Sequence, residues 1–250
     1  MSSSSKPLAA RPARRAAART LATLLAIAAA GASGTASGAA TVRESRPVAG
    51  FTRVVMDAPG ELTIRQGRHE ALQIEAEPRL LPKIASEVRN GVLYLDIRAE
   101  IFQTSHPLRF DLTVERLDTL TVTSSADVRT GPLRTKRLRL ELDGSGNIVI
   151  EGLDAARLET QLTGSADFTV GGGRVAQQIL HATGSGDYAS GEMQSATARI
   201  ELAGSGNATV RASQQIDVLS TGSGDLHYLG NPRIEQRVEG SGDVLRVSSW

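Results

Sequence analysis

From residue 117 to residue 250 the chain keeps alternating apolar and polar positions, breaking on a short polar phrase and then alternating again. Four residues before each break stand Leu120, Leu140, Thr160, Leu180, Ile200, Val218 and Gln236. Two before stand Val122, Leu142, Leu162, Ala182, Leu202, Ser220 and Val238. One after stand Val128, Ile148, Phe168, Tyr188, Ala208, Leu226 and Val244, and three after stand Thr130, Ile150, Val170, Ser190, Val210, Tyr228 and Arg246. A spacing of two on both sides predicts strand, corner and strand, with alternate residues facing inward.

The phrase is Gly-Ser-Gly-Asp/Asn. It reads Gly144-Ser145-Gly146-Asn147, Gly164-Ser165-Ala166-Asp167, Gly184-Ser185-Gly186-Asp187 and Gly204-Ser205-Gly206-Asn207. Gly222-Ser223-Gly224-Asp225 and Gly240-Ser241-Gly242-Asp243 follow, and a degenerate copy, Ser124-Ser125-Ala126-Asp127, comes first. The period is 20 residues four times, then 18 twice. A fixed period near 20 predicts a solenoid whose coils bury their apolar faces only by stacking. The expected fold is all-β: a right-handed parallel β-helix of about 18–20 residues per coil. Seven coils at the strand spacing would rise roughly 30–35 Å. Glu151-Gly152, Asp154-Ala155-Ala156 and Gly171-Gly172-Gly173 supply further corners. A sandwich or barrel of hairpins is the alternative, but hairpins would space the phrase irregularly.

Residues 47–116 read as a β-rich N-terminal cap and first strands. Leu62 and Ile64, Leu72 and Ile74, and Leu108, Phe110, Leu112 and Val114 alternate with polar neighbours. Asn90-Gly91 before Val92–Ile97 is a hairpin signal. Arg79–Glu87 (RLLPKIASE) is the one stretch of this part that predicts a short helix, with Pro82 in its first turn.

The N-terminus has a different composition. Lys6, Arg11, Arg14, Arg15 and Arg19 precede the apolar run Leu21–Ala30, and small residues follow. This is the three-part pattern of a secretory signal peptide, with cleavage near Ala32 or Ala40. Residues 1–40 are therefore expected to be leader and linker, and 41–250 a single domain. Ten apolar residues are too few to span a bilayer, which requires about 20. Arg14-Arg15 leaves Sec and twin-arginine export both open, beside an uncleaved anchor or a plain Ala-rich tail.

Removing the leader changes the charge. The whole chain carries 28 basic and 27 acidic residues; without the five basic residues of the leader the balance is 23 against 27. A mildly acidic body argues against nucleic acid as a partner. With no cysteine there is no disulfide, thiolate metal site or lipidated anchor. Aromatics make up only 3% of the chain, which weakens a sugar-stacking groove.

The phrase invites chemistry but fits structure better. Glycine permits tight corners, and Ser and Asx side chains hold turns by bonding to backbone; stacked coils can also form Ser and Asn ladders. Asp127, Asp167, Asp187, Asp225 and Asp243 are candidate calcium ligands, but Asn147 and Asn207 interrupt the row. Asp167 and Asp187, one coil apart, are the candidate pair for a carbohydrate-cleaving enzyme. No phosphate loop or nucleophile elbow is present. His69, His106, His181 and His227 lack metal spacing and read as surface or ladder residues.

The chain resembles the GIN head-domain family, described as autotransporter adhesin heads of bacteria. The likeness starts at Val48–Val55, runs through Leu62–Gly67, Leu80–Val88 and Asn90–Leu95, and ends in the serial Gly-Ser-Gly-Asp/Asn coils. It implies an exported β-helix without established catalytic residues. The expected function is thus a non-catalytic binding, adhesin-like or cell-envelope scaffold, periplasmic or at the cell surface, with no cofactor. The expected partners are a protein or polysaccharide of the envelope or a host surface. Solenoid ends, with their unpaired strand edges, offer a route to homo-oligomers. No membrane-barrel segment follows the coils before Trp250.

Overall fold

The computed structural model describes residues 41–98 and 103–248. The expected leader, its cleavage sites and Trp250 lie outside the described residues. The alternating segments become strands: β1 (Val42–Arg46), β2 (Arg53–Met56), β3 (Glu61–Gln66), β4 (Ala71–Ala76), β5 (Ile84–Arg89), β6 (Val92–Ile97) and β7 (Arg109–Val114). The repeat region adds β8 (Thr119–Val122), β9 (Asp127–Thr130), β10 (Leu133–Gly144), β11 (Ile148–Ile150), β12 (Leu153–Gly164), β13 (Phe168–Val170) and β14 (Gly173–Gly184). It closes with β15 (Tyr188–Leu202), β16 (Ala208–Ser220), β17 (Leu226–Leu229), β18 (Arg233–Val238) and β19 (Val244–Arg246).

The fold is a parallel β-solenoid of about 6 turns. Seven phrases bound six turns, which is one fewer coil than a simple count of phrases implies. The residue columns of the sequence are the ladders of the structure. Leu140 pairs with Leu120 and Thr160, Thr160 with Leu180, Leu180 with Ile200, and Ile200 with Val218. The shorter face pairs Val128, Ile148, Phe168, Tyr188, Ala208, Leu226 and Val244 in the same way. Phe168 and Tyr188 stack inside the coils with ring centroids 4.9 Å apart. Parallel stacking pairs the strands within the stack on both edges, leaving free edges only at its ends, and the inward columns form one apolar core.

Each coil also bends within its long strand. The β10–β12 ladder passes from the pair Thr135 and Ala155 to the pair Arg137 and Arg157, leaving Lys136 and Ala156 unpaired. The buried residues Leu133 and Leu138 are five positions apart, an odd offset, so the inward phase switches across this point. The expected corner at Asp154-Ala155-Ala156 therefore turns inside β12 and does not interrupt it.

The N-terminal strands extend the same two ladders out of chain order. β2 lies parallel between β6 and β8, and β3 parallel between β7 and β9. Antiparallel strands finish the stack: β5 on β6, and β1 on β4, which itself runs antiparallel to β7. Asn90 and Gly91, both with positive φ, make the β5–β6 hairpin turn. The helix expected over Arg79–Glu87 is corrected. Only Leu81–Lys83 form a single 3-10 turn, and Ile84–Arg89 are strand. Pro82 sits where its missing N–H costs nothing. The Asn90-Gly91 turn then commits the β-branched residues Ile84 and Val88 to pairing with Ile97 and Leu93. At the entrance to the 3-10 turn the buried carboxylate of Glu77 accepts from Ser105 N–H at 2.7 Å, Arg79 Nε at 2.7 Å and the Thr104 hydroxyl at 3.1 Å. The Ser105 amide and then the Arg79 guanidinium hold its pKa down to about 2.

Candidate functional site

Two corners of the coil are candidates. The first carries the phrase. Here the backbone of each coil lies directly on the next. A Cβ built on Gly224 would run into the carbonyl oxygen of Gly206, and one built on Gly146 into that of Ala126. The same collision with the preceding coil's backbone awaits a side chain at Gly144, Gly184, Gly186, Gly204, Gly206, Gly222, Gly240 and Gly242. Gly164 adds a φ of +96°.

The corner's polar backbone groups are accounted for one by one. The Ser N–H donates to the phrase's first glycine one coil earlier, as from Ser205 to Gly184 O at 2.7 Å and Ser223 to Gly204 O at 2.9 Å. The Asx carbonyl accepts from the residue after the preceding phrase, as Asn207 O does from Tyr188 N–H at 2.8 Å. The Asx N–H, turned away from the ladder, donates to the side-chain oxygen of the Asx below. Asn147 N–H bonds Asp127 Oδ1 at 3.0 Å, Asp187 N–H bonds Asp167 Oδ1 at 2.8 Å, and Asn207 N–H bonds Asp187 Oδ1 at 2.7 Å. Asp225 N–H bonds Asn207 Oδ1 at 3.0 Å and Asp243 N–H bonds Asp225 Oδ1 at 2.8 Å. Asp and Asn interchange because each supplies the same oxygen acceptor. The step from Asn147 to Asp167 lacks this bond, and it leads into the one complete phrase that has Ala166 in place of glycine. Among the described residues the hydroxyls of the phrase serines Ser145, Ser165, Ser185, Ser205, Ser223 and Ser241 make no hydrogen bond, so the expected serine ladder runs through their amides.

Among the described residues no three His, Asp or Glu side chains gather into a metal-sized cluster. The five aspartates expected as calcium ligands stand in the row just described, each with one oxygen turned to a backbone amide wherever a further coil follows and the bond forms. Asp167 and Asp187 are brought together, but as two rungs of this row. His181 Nδ1 lies 2.8 Å from Glu201 Oε2 in the next coil, a ladder pair on the outer face.

The second candidate is the corner that bends inside the long strands. Over six successive coils, from Arg134 to Asn231, it hollows into a groove of about 910 Å³. Ala155, Val175, Ala176, Ala196 and Ala212 make an apolar floor, and Arg134, Asp154, Arg174, Gln194 and Arg211 stand around it. Arg134 Nη2 reaches Asp154 Oδ2 at 3.3 Å, and Arg174 Nη2 reaches Gln194 Oε1 at 3.3 Å. Arg211 Nε donates to Gly191 O at 2.7 Å. Arg174 and Arg211 thus have no carboxylate partner among the described residues.

The groove lies where the repeat shortens from 20 residues to 18. The ladder pairs Ser190 with Val210, Ser195 with Ala212 and Thr197 with Gln215. Six residues on one coil therefore face four on the next, about 7 Å less chain. The slip strands backbone carbonyls inside, and a buried polar cluster meets them. Gln178 Nε2 donates to Ser195 Oγ at 2.8 Å and lies 3.3 Å from Arg211 O. Ser195 Oγ donates to Arg211 O at 2.6 Å. Gln178 Oε1 accepts from Tyr188 OH at 3.2 Å, and Ser190 Oγ stands 2.9 Å from that oxygen and 3.0 Å from Thr209 O. Burial pushes the Tyr188 phenol above its usual range. Sequence reasoning missed this cluster and the groove before it. The signals were present: Gln178 interrupts the apolar column Leu138, Leu158, Ala198 and Ile216, and the period drops by two.

The model of the family described as "Putative auto-transporter adhesin, head GIN domain" matches residues 50–232. No curated protein matches the sequence. A solved structure from Bacteroides fragilis described as a putative adhesin is similar with a TM-score of 0.79 and 22% identity, covering 83% of this chain and 97% of its own. One from Parabacteroides distasonis described as a putative lipid binding protein has a TM-score of 0.68 and 19% identity, covering 84% and 98%. A putative adhesin from Parabacteroides merdae has a TM-score of 0.64 and 16% identity, covering 84% and 97%. At these identities the likeness is one of fold.

Proposed function

We propose, on the premise that this chain belongs to the auto-transporter adhesin head GIN domain family, that it is an exported, non-catalytic binding module whose ligand lies along the groove at the second corner. The observation that carries this reading is the groove itself. It crosses six coils, its floor is apolar, and two of its guanidinium groups have no carboxylate partner among the described residues. At the phrase corner the Asx side-chain oxygens are already turned to neighbouring backbone amides. Export rests on the basic and apolar pattern of residues 1–40. Among the described residues no helix is long and apolar enough to cross a membrane.

The ligand class favoured by an apolar floor under guanidinium groups is an anionic amphiphile or an acidic polymer of the envelope. The structural neighbour described as a putative lipid binding protein agrees with the first of these. Immobilised protein would be tested against envelope polysaccharides, host glycans and anionic fatty acids, with Ala176→Arg as the groove-filling control. Binding that Ala176→Arg removes, in a variant that still melts cooperatively, supports the reading. Binding untouched by Ala176→Arg, or none across the panel, overturns it.

A further inference from the structure

The last long strand, β18, is paired along one edge with β16 and along the other with nothing among the described residues. The coil it belongs to is correspondingly bare. Ile216 and Leu226 are fully buried, yet Ile234 and Val244 above them are only half-buried, and Val238 and Leu245 are 39% and 44% exposed. A bare strand edge over apolar side chains is a template for another strand.

Residues 233–239 read Arg-Ile-Glu-Gln-Arg-Val-Glu. The inward set is Ile234, Gln236 and Val238, stacked on Ile216, Val218 and Ser220. The outward set is Arg233, Glu235, Arg237 and Glu239. Turned end for end about Gln236, this stretch is complementary to itself. Arg233 falls opposite Glu239 of the partner subunit, Ile234 opposite Val238 of the partner subunit, Glu235 opposite Arg237 of the partner subunit, and Gln236 opposite Gln236 of the partner subunit. Inward residues meet inward ones and every outward pair is of opposite charge. The neighbouring registers that keep the faces in phase, centred on Glu235 or Arg237, set like charges directly opposite. A one-residue slip sets inward residues against outward ones. One antiparallel register is therefore favoured and its neighbours are penalised.

We propose that two copies of this chain associate through this edge, β18 lying antiparallel to β18 of the partner across a two-fold axis at Gln236. The contact is isologous and closes on itself, giving a dimer and no further growth. Its occupant is a second copy, since the complementarity is of the strand to itself. Within one copy Arg233 pairs with Glu235 at 2.9 Å and Arg237 with Glu239 at 2.6 Å. In the dimer each of these groups gains an oppositely charged neighbour across the axis.

Sedimentation of the purified protein tests this. The expected result is a dimer at micromolar concentration. Arg237→Glu, which sets two acids opposite each other at two symmetric places, should weaken it about tenfold or more. The double variant Glu235→Arg with Arg237→Glu restores opposite charge and should restore the dimer. The chain has no cysteine, so Gln236→Cys should form a disulfide-linked dimer on mild oxidation, and Glu235→Cys should do so far more slowly. A monomeric wild type, open-ended chains of copies, a dimer indifferent to Arg237→Glu, a double variant that stays apart, or faster linkage through Glu235→Cys would each overturn the proposal.

Discussion

The phrase corner keeps its length through all seven copies, whereas the corner bending at residues 136, 156, 176 and 196 loses two residues in the following coil, after Val210. At the first, backbone lies on backbone and the side chains serve it: glycine for space, Asx oxygen for the amide that the ladder cannot reach. At the second, the strand ladder holds through most of the turn, and the side chains are free to vary as Thr135, Ala155, Val175, Ser195 and Ala212. A repeat that is uniform at one corner and variable at the other separates the part that makes the fold from the part available to a ligand.

The sharpest way to break this comparison is to place the same side chain at both corners. Gly224→Val drives a branched side chain against the Gly206 carbonyl, which is backbone and cannot rotate away. It should cost about 3 kcal/mol or more in urea unfolding. Ala176→Val, on the exposed floor of the groove, should change stability by less than about 0.5 kcal/mol. Similar costs at the two corners would mean they are built alike.

Next in size is Gln178→Leu. It makes the column uniformly apolar, as at Leu138 and Leu158, but strips partners from Ser195, Ser190 and Tyr188 beside the slipped ladder. Buried polar groups left unmet cost more than an added apolar contact returns. The expected loss is about 2 kcal/mol. A gain in stability would show that the register slip needs no polar brace.

Legibility in the sequence followed the same division. The columns at intervals of two around each phrase were sufficient for the solenoid, because stacking forces equivalent residues into one ladder and so into one pattern. The need for glycine at the corner was legible for the same reason. The direction of the Asx bond was not, since a side chain that reaches its own turn and one that reaches the next coil leave the same residue type. Leu80, Leu81, Ile84 and Val88 have helical spacing, and only the pairing of β5 with β6 decides against it. The interleaving of β2 between β6 and β8 is a long-range choice that local pattern does not carry. The groove escaped because it consists of what is missing: large side chains on its floor and two residues of chain.

A finer comparison lies within the phrase corner. Asp187→Ala removes the acceptor for Asn207 N–H and for its Nδ2 at 3.3 Å, and should cost about 1 kcal/mol. Asp187→Asn keeps the oxygen and should fall within about 0.5 kcal/mol of wild type. If both variants lost stability equally, the charge and not the acceptor would be the reason for Asx at this position.

The smallest effect expected is that of calcium. Exposed carboxylates one coil apart repel by only about 1 kcal/mol in water, and Asn147 and Asn207 dilute the row further. A bound calcium ion takes six to eight oxygens. Asp225 and Asp243 are the one pair of acids adjacent in the row besides Asp167 and Asp187, and in each pair the lower Oδ1 is already turned to the amide above. Melting in calcium and in chelator should therefore agree within the scatter of repeated scans. A rise of several degrees in calcium, lost in Asp187→Asn, would return the phrase corner to the list of binding sites and leave the second corner without its distinction.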